Sequence, residues 1–212
     1  FSLWRESVTG RSLPWGVTAE EAFALGAEIK TALTARENAK LAELALVDAL
    51  TGLPNRRFLD EHTDKFFDSH RDGVAAIFLD IDDFKGINDR LGHAVGDNLL
   101  ITVTKTITSN IRSTDILSRF GGDEFVILLP ETPADAAAAF LEKIQNQLNQ
   151  AMAASNWPVS FSIGAVTYPT APPGVDEVIR KADMLMYEVK RSGKNRLLHI
   201  EATEENNGKR QF

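Results

Sequence analysis

Cysteine is absent from the 212 residues of this sequence, which excludes several kinds of chemistry at once. A chain without thiols has no disulfide framework, no thiolate nucleophile and no cysteine-bearing zinc site. Histidine is scarce as well, and His62, His70, His93 and His199 lack the spacing of metal ligands. Neither thiol catalysis nor a metal site built from cysteine or histidine is therefore expected.

Positive charge is also in short supply, since 23 Lys and Arg stand against 30 Asp and Glu and the formal net charge is −7. Non-specific nucleic-acid binding needs a basic surface, so no nucleic-acid partner is expected. No apolar run approaches membrane-spanning length, and no signal peptide opens the sequence. We expect a soluble, cytoplasmic protein without a membrane partner. Because the first residue is Phe rather than Met, we also expect a piece of a longer chain.

The composition changes along the chain and divides it into four zones. Residues 1–17 hold two of the three Trp together with Gly and Pro, and bury nothing by themselves. Residues 18–47 predict one long helix, opened by the capping-box pattern Thr18-Ala-Glu-Glu21. Residues 48–200 predict a globular domain, because 43% of the sequence is hydrophobic and can bury a core. Residues 201–212 predict a polar, frayed tail.

Strands alternate with helices in the globular zone. Strands are predicted at residues 74–82, 159–168 and 196–200, and helices at 95–111, 134–153 and 175–191. The nearly continuous apolar run at 74–82 indicates a strand covered on both faces. Two apolar runs flank Gly121-Gly122 within residues 115–129, which predicts an antiparallel hairpin. The expected fold is α/β, with helices flanking a mixed central sheet.

Carboxylates gather at two places in this expected fold. The segment Asp80-Ile-Asp-Asp83 ends the buried strand, and Asp123 and Glu124 follow the glycines of the hairpin. Bringing Asp80 and Asp123 together without a counter-ion would force one of them to hold a proton. A hard divalent cation such as Mg²⁺ removes that conflict and also bridges phosphate oxygens.

The two glycines are expected to let the backbone turn tightly and to leave room for a bulky ligand. The alternative is a solvated acidic turn beside a hairpin. The position of the acids at a strand end and a hairpin tip favours a site for a metal and a phosphate.

The string Arg119-Phe-Gly-Gly-Asp-Glu-Phe125 resembles the signature of the GGDEF family, the diguanylate cyclases. Further segments resemble the family pattern in order, at residues 48–57, 80–85, 88–89, 92–97, 162–164, 182–183, 187 and 190–195. The resemblance covers about residues 48–200. It implies a fold similar to the palm of nucleotidyl cyclases and polymerases. It also implies an enzyme in which two GTP, one on each domain of a homodimer, condense to cyclic di-GMP and pyrophosphate.

The resemblance further implies a Mg²⁺-dependent site with two ions. Asp80, Asp123 and the Ile81 carbonyl would hold the metal, and Glu124 would lie beside the reacting 3′-hydroxyl, as a further ligand or as a help in deprotonation. In chemical terms the site polarises the α-phosphate and produces an alkoxide nucleophile. Asp80, Asp123 and Glu124 are thus the expected catalytic residues.

The same resemblance implies how the triphosphate would be bound. Backbone N–H groups around Phe84 and Lys85 would cradle the β- and γ-phosphates, and Lys190 and Lys194 would neutralise their charge. The family often has Arg where Lys194 stands. Because Lys keeps the charge but loses the bidentate geometry, we expect a weaker grip on phosphate rather than loss of activity.

Base selection would fall to Asn88 and Asp97. A carboxylate can accept hydrogen bonds from guanine N1–H and N2–H₂, whereas adenine offers no such pair of donors. The alternative for Asp97 is a helix cap, because it stands near the start of a predicted helix. His93 also matches a family position and is interpreted as structural.

A second binding site is suggested by Arg112-Ser-Thr-Asp115, which resembles the R-x-x-D motif where cyclic di-GMP binds and inhibits enzymes of this family. Arg can contact a guanine Hoogsteen edge or a phosphate, and Asp can accept from the guanine amide. The alternative is a surface ion pair. Lys143, on the following helix, is a candidate for the basic partner that such a site needs.

The helix predicted at 18–47 is a candidate dimerisation element. Reading the a and d positions of a parallel coiled coil gives Ala22, Leu25, Ile29, Ala32, Arg36, Ala39, Glu43, Leu46 and Leu50. Since a poorer second register also exists, we interpret the helix as a coiled-coil linker that can switch register. The alternative is an ordinary helix packed on its own domain.

Residues 1–17 resemble the returning arm of the tongue hairpin in phytochrome PHY domains, through Phe1-Ser-x-Trp4 and Ser12-Leu-Pro-Trp15. This resemblance implies that the parent protein is a red-light-sensing diguanylate cyclase. Its biliverdin-type bilin would be carried on an upstream domain missing from this chain.

Two other functions are alternatives to the enzyme. One is a catalytically silent GGDEF domain that acts as a cyclic di-GMP receptor through Arg112 and Asp115. The other is a nucleotidyl cyclase with a single substrate, which the guanine-directed Asn88 and Asp97 disfavour. The intact turn motif and the metal-ligand positions favour the enzyme.

Overall fold

A computed structural model describes residues 18–69, 73–170 and 174–202 of the chain. The chain divides into two compact units, Phe1–Ala45 and Leu46–Phe212. The segment 1–17, predicted to resemble a phytochrome tongue, lies outside the described residues. None of the described helices is both long and apolar enough to cross a membrane.

The first unit contains helix α1 (Ala19–Leu44). The predicted capping box is confirmed: the Thr18 N–H donates to Glu21 Oε2 at 2.8 Å and the Glu21 N–H donates to Thr18 Oγ1 at 3.2 Å. The helix ends three residues before its predicted end at 47. The predicted coiled-coil seam is therefore wrong at Leu46 and Leu50, which follow the helix, and Leu50 packs against a core of the second unit.

The second unit is built on a five-stranded sheet. Its strands are β1 (Val74–Asp82), β2 (Ile116–Arg119), β3 (Glu124–Pro130), β4 (Ser160–Tyr168) and β5 (Leu197–Glu201). The order is β2-β3-β1-β4-β5, and β4 and β5 are parallel while the other neighbours are antiparallel. The expected mixed sheet is confirmed, and so is the hairpin, formed by β2 and β3.

Helices cover both faces of this sheet. They are α2 (Arg56–Ser69), α3 (Phe84–Leu91), α4 (His93–Thr108), α5 (Ala134–Ala154) and α6 (Val175–Arg191). Alternate residues of β1 belong to two cores: Ala75, Ile77, Leu79 and Ile81 to the one with α4 and α5, and Val74, Ala76 and Phe78 to the one with α6. Every residue of β1 is buried, which confirms a strand covered on both faces.

The structure differs from the prediction in several details. Helices α2 and α3 were not predicted, and the helix predicted at 95–111 is α4, which both begins and ends earlier, at His93 and Thr108. Single-residue differences occur at the bounds of β4, α5 and β5. The predicted tail begins inside the sheet, because Glu201 ends β5. The following Ala202 is buried and donates its N–H to the Thr167 carbonyl at 2.8 Å. The remainder of that tail lies outside the described residues.

Candidate functional site

The end of β1 and the hairpin turn lie side by side, so the sheet brings together the two predicted groups of carboxylates. Asp80 pairs across the sheet with Glu124 on β3 and with Ser162 on β4. One residue further along, the Ile81 N–H donates to the Asp123 carbonyl at 3.2 Å. The turn residue Asp123 is thereby joined to the backbone of β1. Asp80, Asp123 and Glu124 thus form one acidic cluster.

Asp80 is a carboxylate with almost no access to water, since only 3% of its surface is exposed. Its Oδ2 pairs with the Lys190 ammonium of α6 at 2.6 Å. Burial, helped by the charges of Asp123 and Glu124, raises the pKa of Asp80 to about 6 in spite of Lys190. The single positive charge of Lys190 does not balance the negative charge of the three carboxylates at this end of the sheet.

The pKa values of Glu124 and Lys190 are also shifted by burial and by the neighbouring charges. Burial raises the pKa of Glu124 above its ordinary value, and the charges of Asp123 and Asp183 add to the effect. Burial alone would lower the pKa of Lys190, but its ion pair with Asp80 outweighs burial and the pKa is raised. The cluster therefore favours positive charge and resists further negative charge.

Three carboxylates next to a strand end are a hard oxygen donor set of the kind that Mg²⁺ prefers. Across the described residues, no three Asp, Glu or His side chains converge on one point as a closed protein-only metal site would. Mg²⁺ is typically held by one or two carboxylates together with substrate phosphates and water, so an incomplete protein donor set is compatible with that ion. The raised pKa of Asp80 is the observation that fits a cation here.

Glycines of the turn make room for side chains rather than supplying an unusual backbone conformation. Gly121 and Gly122 do not have positive φ. A Cβ at Gly121 would overlap the Glu124 carboxylate, whereas a Cβ at Gly122 would meet nothing within 4 Å. The first glycine therefore admits Glu124, and the second leaves open space against the backbone, as expected for a bulky ligand.

The base of the turn is held by an ion pair that the sequence did not reveal. Both Asp48 oxygens accept from Arg119 Nη1, at 2.9 and 3.0 Å, and Arg119 Nη2 donates to the Gly122 carbonyl at 2.7 Å. Thr51 donates to Asp48 Oδ1 through its N–H and its hydroxyl. The only signal in the sequence was that both charges fall inside family-like segments.

An aromatic contact fixes the other side of the turn. The Phe120 ring packs edge-on against Phe78 of β1, with the ring centres 5.3 Å apart. The Arg56 guanidinium lies 4.7 Å from the centre of the same ring, in cation–π geometry. Helix α2, which the sequence analysis missed, thus takes part in building the acidic turn.

The residues predicted to bind phosphate lie on three short segments. Phe84 and Lys85 are the first two residues of α3, where N–H groups have no partner within the helix. Lys190 stands in the last turn of α6 and already contacts Asp80. Lys194 is exposed, in the turn between α6 and β5, with a left-handed φ of 61°.

The two residues predicted to select the base lie on the neighbouring helices α3 and α4. The Asn88 side chain lies directly against Gly96, where a Cβ would overlap its Oδ1. Asp97 is the fifth residue of α4 and forms no capping hydrogen bond, so the alternative of a helix cap is wrong. The α3–α4 connection is thus shaped by Asn88, and Asp97 remains exposed.

The Arg112–Asp115 segment forms a tight turn rather than an ion pair. The Arg112 N–H donates to Asp115 Oδ2 at 2.7 Å, and the Asp115 N–H returns to the Arg112 carbonyl at 3.1 Å. Asp115 Oδ1 is buried without a partner among the described residues. Nearby, Asn110 donates to Gln147 of α5, one helical turn after the exposed Lys143.

Comparison with known proteins agrees with the geometry of the acidic turn. Residues 45–196 match the family described as "Diguanylate cyclase, GGDEF domain". The hairpin and the whole of α6, which carries Lys190, therefore lie within the matched region.

Similar proteins include two from Pseudomonas aeruginosa. The bifunctional diguanylate cyclase/cyclic di-GMP phosphodiesterase MucR is 40% identical over 186 residues, 84% of this chain and 27% of that protein. The diguanylate cyclase TpbB is 37% identical over 176 residues, 77% of this chain and 40% of that protein. The chain therefore spans less than half the length of these two relatives.

Among solved structures, the coiled coil and GGDEF domain of DgcB from Caulobacter crescentus, in complex with c-di-GMP, superposes with a TM-score of 0.72. That match has 24% identity and covers 86% of this chain and 100% of DgcB's crystallised chain, so it supports the fold. The acidic hairpin turn, the match over residues 45–196 and the two relatives together establish that this chain belongs to the GGDEF family of diguanylate cyclase domains.

Proposed function

We propose that this domain is a catalytically active diguanylate cyclase, which condenses two GTP to cyclic di-GMP and two pyrophosphates. The observation that carries this proposal is the buried Asp80 in one cluster with Asp123 and Glu124, with Lys190 as its counter-ion. Burial raises the pKa of Asp80, and a buried acid of this kind beside two further carboxylates is typical of sites that handle charge or protons, which supports an enzyme over a domain that only binds the product.

In each of the two bond-forming steps, a 3′-hydroxyl oxygen of one GTP would attack the α-phosphorus of the other. The bond between the α-phosphorus and the pyrophosphate oxygen breaks, and the hydroxyl proton is lost. Glu124, which pairs with Asp80 in the sheet register, would take part in that deprotonation. Burial raises the pKa of Glu124, which makes its carboxylate a stronger base.

Asp80, Asp123 and the Ile81 carbonyl are the groups that would hold Mg²⁺, up to two ions per site, with Glu124 as a further ligand. When bound, Mg²⁺ would polarise the α-phosphate and lower the pKa of the attacking hydroxyl. Lys190 would then be free to exchange its contact with Asp80 for a contact with the triphosphate, because both partners are anionic.

We assign GTP recognition to the two helices that follow β1. The first N–H groups of α3, at Phe84 and Lys85, face no helical acceptor and are suited to the β- and γ-phosphates. Lys194 would add a second cation. Asn88 and Asp97 would bind the guanine, with the Asp97 carboxylate accepting hydrogen bonds from the guanine N1–H and N2–H₂ groups.

Because each domain would bind one GTP, the reaction needs two domains face to face, and we propose a parallel homodimer. Helix α1 offers an apolar stripe for this purpose, since Leu25, Ile29 and Leu33 follow one another at four-residue spacing and are each about half exposed. A coiled coil of α1 would set the distance between the two sites.

We also propose that in the parent protein this domain is the output of a red-light sensor with a biliverdin-type bilin. The support is sequence alone: the phytochrome-like pattern in residues 1–17, followed by a long helix. Light-dependent cyclic di-GMP synthesis by the longer parent protein, together with no effect of light on the present chain, is the expected result. An output that ignores light in the parent would refute this assignment.

Binding of cyclic di-GMP at Arg112 and Asp115 is favoured by a specific observation. Among the described residues, the buried Asp115 Oδ1 has no hydrogen-bond partner and the Arg112 guanidinium forms no ion pair with Asp115, so the two side chains of the motif do not satisfy each other. In an active enzyme this site would inhibit synthesis, with Lys143 as its basic partner. In a silent domain the same site would make the protein a receptor.

Chromatographic measurement of cyclic di-GMP made from GTP and Mg²⁺ tests the enzyme directly. The wild type should form product at a rate that rises more than linearly with protein concentration. Asp123→Asn should lose that activity, and Asp60→Asn, at an exposed position on α2, should keep it. Absence of product in the wild type, together with tight binding of cyclic di-GMP that Arg112→Ala abolishes, would favour the receptor instead.

A further inference from the structure

Asp82, the last residue of β1, is a second buried carboxylate on the strand that carries Asp80. Only 4% of its surface is exposed, and it forms no ion pair within the described part of the chain. A buried carboxylate without a cation is costly unless neutral donors saturate it. The hydrogen bonds that Asp82 accepts from neutral donors therefore indicate its structural role.

Three donors converge on the Asp82 carboxylate. The Ser162 hydroxyl donates to Oδ1 at 2.7 Å, and the Ser160 hydroxyl donates to Oδ2 at 2.6 Å, both from β4. The third donor is the backbone N–H of Asn195, 3.1 Å from Oδ2 and 113 residues away in the chain. Asp82 thus ties β1 to the turn that joins α6 to β5.

That turn has an unfavourable backbone conformation. Lys194 and Asn195 have φ values of 61° and 48°, so two consecutive residues with side chains adopt the left-handed region. Such conformations persist only where surrounding contacts hold them. The Lys194 N–H is bound by the Val189 carbonyl at 3.1 Å, and the next peptide N–H, that of Asn195, is bound by Asp82. The Asp82 carboxylate is therefore the anchor of the peptide that links Lys194 to Asn195.

The same face of β1 carries the acidic cluster. Asp80 and Asp82 are two residues apart and so lie on one face of the strand, the face covered by α6. Asp80 contacts Lys190 at the end of that helix, and Asp82 contacts the turn that follows it. Two neighbouring carboxylates of one strand thus locate the two lysines assigned to the triphosphate.

We propose that Asp82 is a positioning residue that holds the Lys194–Asn195 turn so that the Lys194 ammonium can bind the triphosphate. This inference rests on the proposed function, because it assigns Lys194 to the phosphates of GTP. It explains why a buried acid with neutral partners stands two residues after Asp80. Asp82 acts through Lys194 and does not itself contact substrate.

The experiment compares GTP turnover and calorimetric GTP binding, both with Mg²⁺, for four variants and one double variant. Asp82→Ala removes all three hydrogen bonds. Asp82→Asn keeps them, with its amide oxygen toward Asn195 and its amide nitrogen toward the Ser162 hydroxyl, which can accept. Ser162→Ala is the matched control, because it removes one bond to the same carboxylate and leaves the turn attached. Lys194→Gln removes the cation.

We expect Asp82→Ala and Lys194→Gln each to raise the KM for GTP about tenfold with kcat within about twofold of wild type. Asp82→Asn and Ser162→Ala should stay within about threefold of the wild-type KM. In the double variant, Asp82→Ala should add no further increase to that of Lys194→Gln, because the anchor has nothing left to position. If Asp82→Ala does not fold, Asp82→Ser replaces it, since its hydroxyl is too short to reach Asn195.

Each outcome separates this inference from the proposed function. An active wild type in which Asp82→Ala and Lys194→Gln have multiplicative effects on KM, or in which Ser162→Ala matches Asp82→Ala, overturns the positioning role and leaves the enzyme intact. A wild type that binds GTP without turnover refutes the proposed enzyme. The variants are then compared with the wild type by their dissociation constants for GTP in place of KM. A wild type that neither binds nor converts GTP refutes both.

Discussion

Replacing Arg119 with Met tests whether the buried ion pair with Asp48 holds the acidic turn. Methionine keeps most of the length and apolar surface of the arginine stem while removing the guanidinium. The variant leaves the Asp48 carboxylate with Thr51 as its donor and deprives the Gly122 carbonyl of its partner. The turn that carries the cluster acids therefore loses the contact that ties it to residue 48.

The size of the effect follows from burial. Only 14% of the Arg119 side chain and 23% of the Asp48 side chain are exposed, and two bonds of 2.9 and 3.0 Å join them. An exposed ion pair contributes under about 1 kcal/mol, whereas removing one partner of a buried pair costs about 3–5 kcal/mol. Because this pair is mostly but not fully buried, we expect a loss of about 3 kcal/mol, which lowers the Tm by roughly 6–12 °C.

Denaturant unfolding of wild type, Arg119→Met, Asp48→Asn and the double variant gives the coupling between the two residues. We expect the double variant to cost about 2 kcal/mol less than the sum of the single variants. Arg57→Met is the matched control, since its pair with Glu61 is largely exposed and should contribute under about 0.5 kcal/mol. Additive single effects, or an Arg119→Met cost no larger than that of the control, would refute the reasoning.

The pH dependence provides an independent check. Burial alone would raise the pKa of Asp48, but hydrogen bonds from Thr51 and Arg119 outweigh burial and hold it below its ordinary value. A depressed pKa in the folded state contributes stability above the ordinary pKa of about 4, and that stability is lost as the pH falls through the folded value. The destabilisation by Arg119→Met should therefore be larger at neutral pH than in acid. An equal destabilisation at both would contradict the ion pair.

Three further predictions concern the sheet, the cluster and the second site. Gly164→Ala should cost more than about 3 kcal/mol, because its Cβ would overlap backbone atoms of α6, while Gly122→Ala, with open space, should be neutral in thermal unfolding. Asp80 has a folded pKa of about 6, so without metal the unfolding free energy should fall as pH rises from about 4 to 6. Asp80→Asn should lack that slope in denaturant titrations; an unchanged slope would contradict the burial argument. Arg112→Ala should leave the initial rate unchanged and relieve inhibition by added cyclic di-GMP, and persistent inhibition would reject that site.

The sequence by itself determined the elements that a local hydrophobic pattern marks. The apolar run of β1 and the amphipathic run of α6 were predicted with their observed bounds, because a nearly continuous apolar run marks the strand and apolar residues at helical spacing mark the helix. The hairpin was predicted from its two glycines, and the acidic cluster from carboxylates at a strand end and a turn. These are local patterns, and they indicate the same strands and helices whatever the order of the strands in the sheet.

Helices α2 and α3 could not be predicted in the same way. Their sequences are short and polar, and each offers few apolar residues, such as Leu59 and Ile87, which are fully buried only once the sheet is in place. Asn55, whose side chain accepts the Phe58 N–H at 3.1 Å, is the one capping signal for α2 in this part of the sequence. The stability of such helices comes from tertiary packing more than from propensity.

Only the tertiary structure decided which groups the buried acids contact. Asp48 pairs with Arg119, 71 residues away in the chain, and Asp82 accepts the backbone N–H of Asn195, 113 residues away. Which strands are neighbours depends on the order β2-β3-β1-β4-β5, which no local pattern encodes. The sequence by itself therefore predicted the carboxylates of the acidic cluster. The residues that hold them in place follow from the sheet order, because that order depends on burial over the whole domain and not on any local pattern.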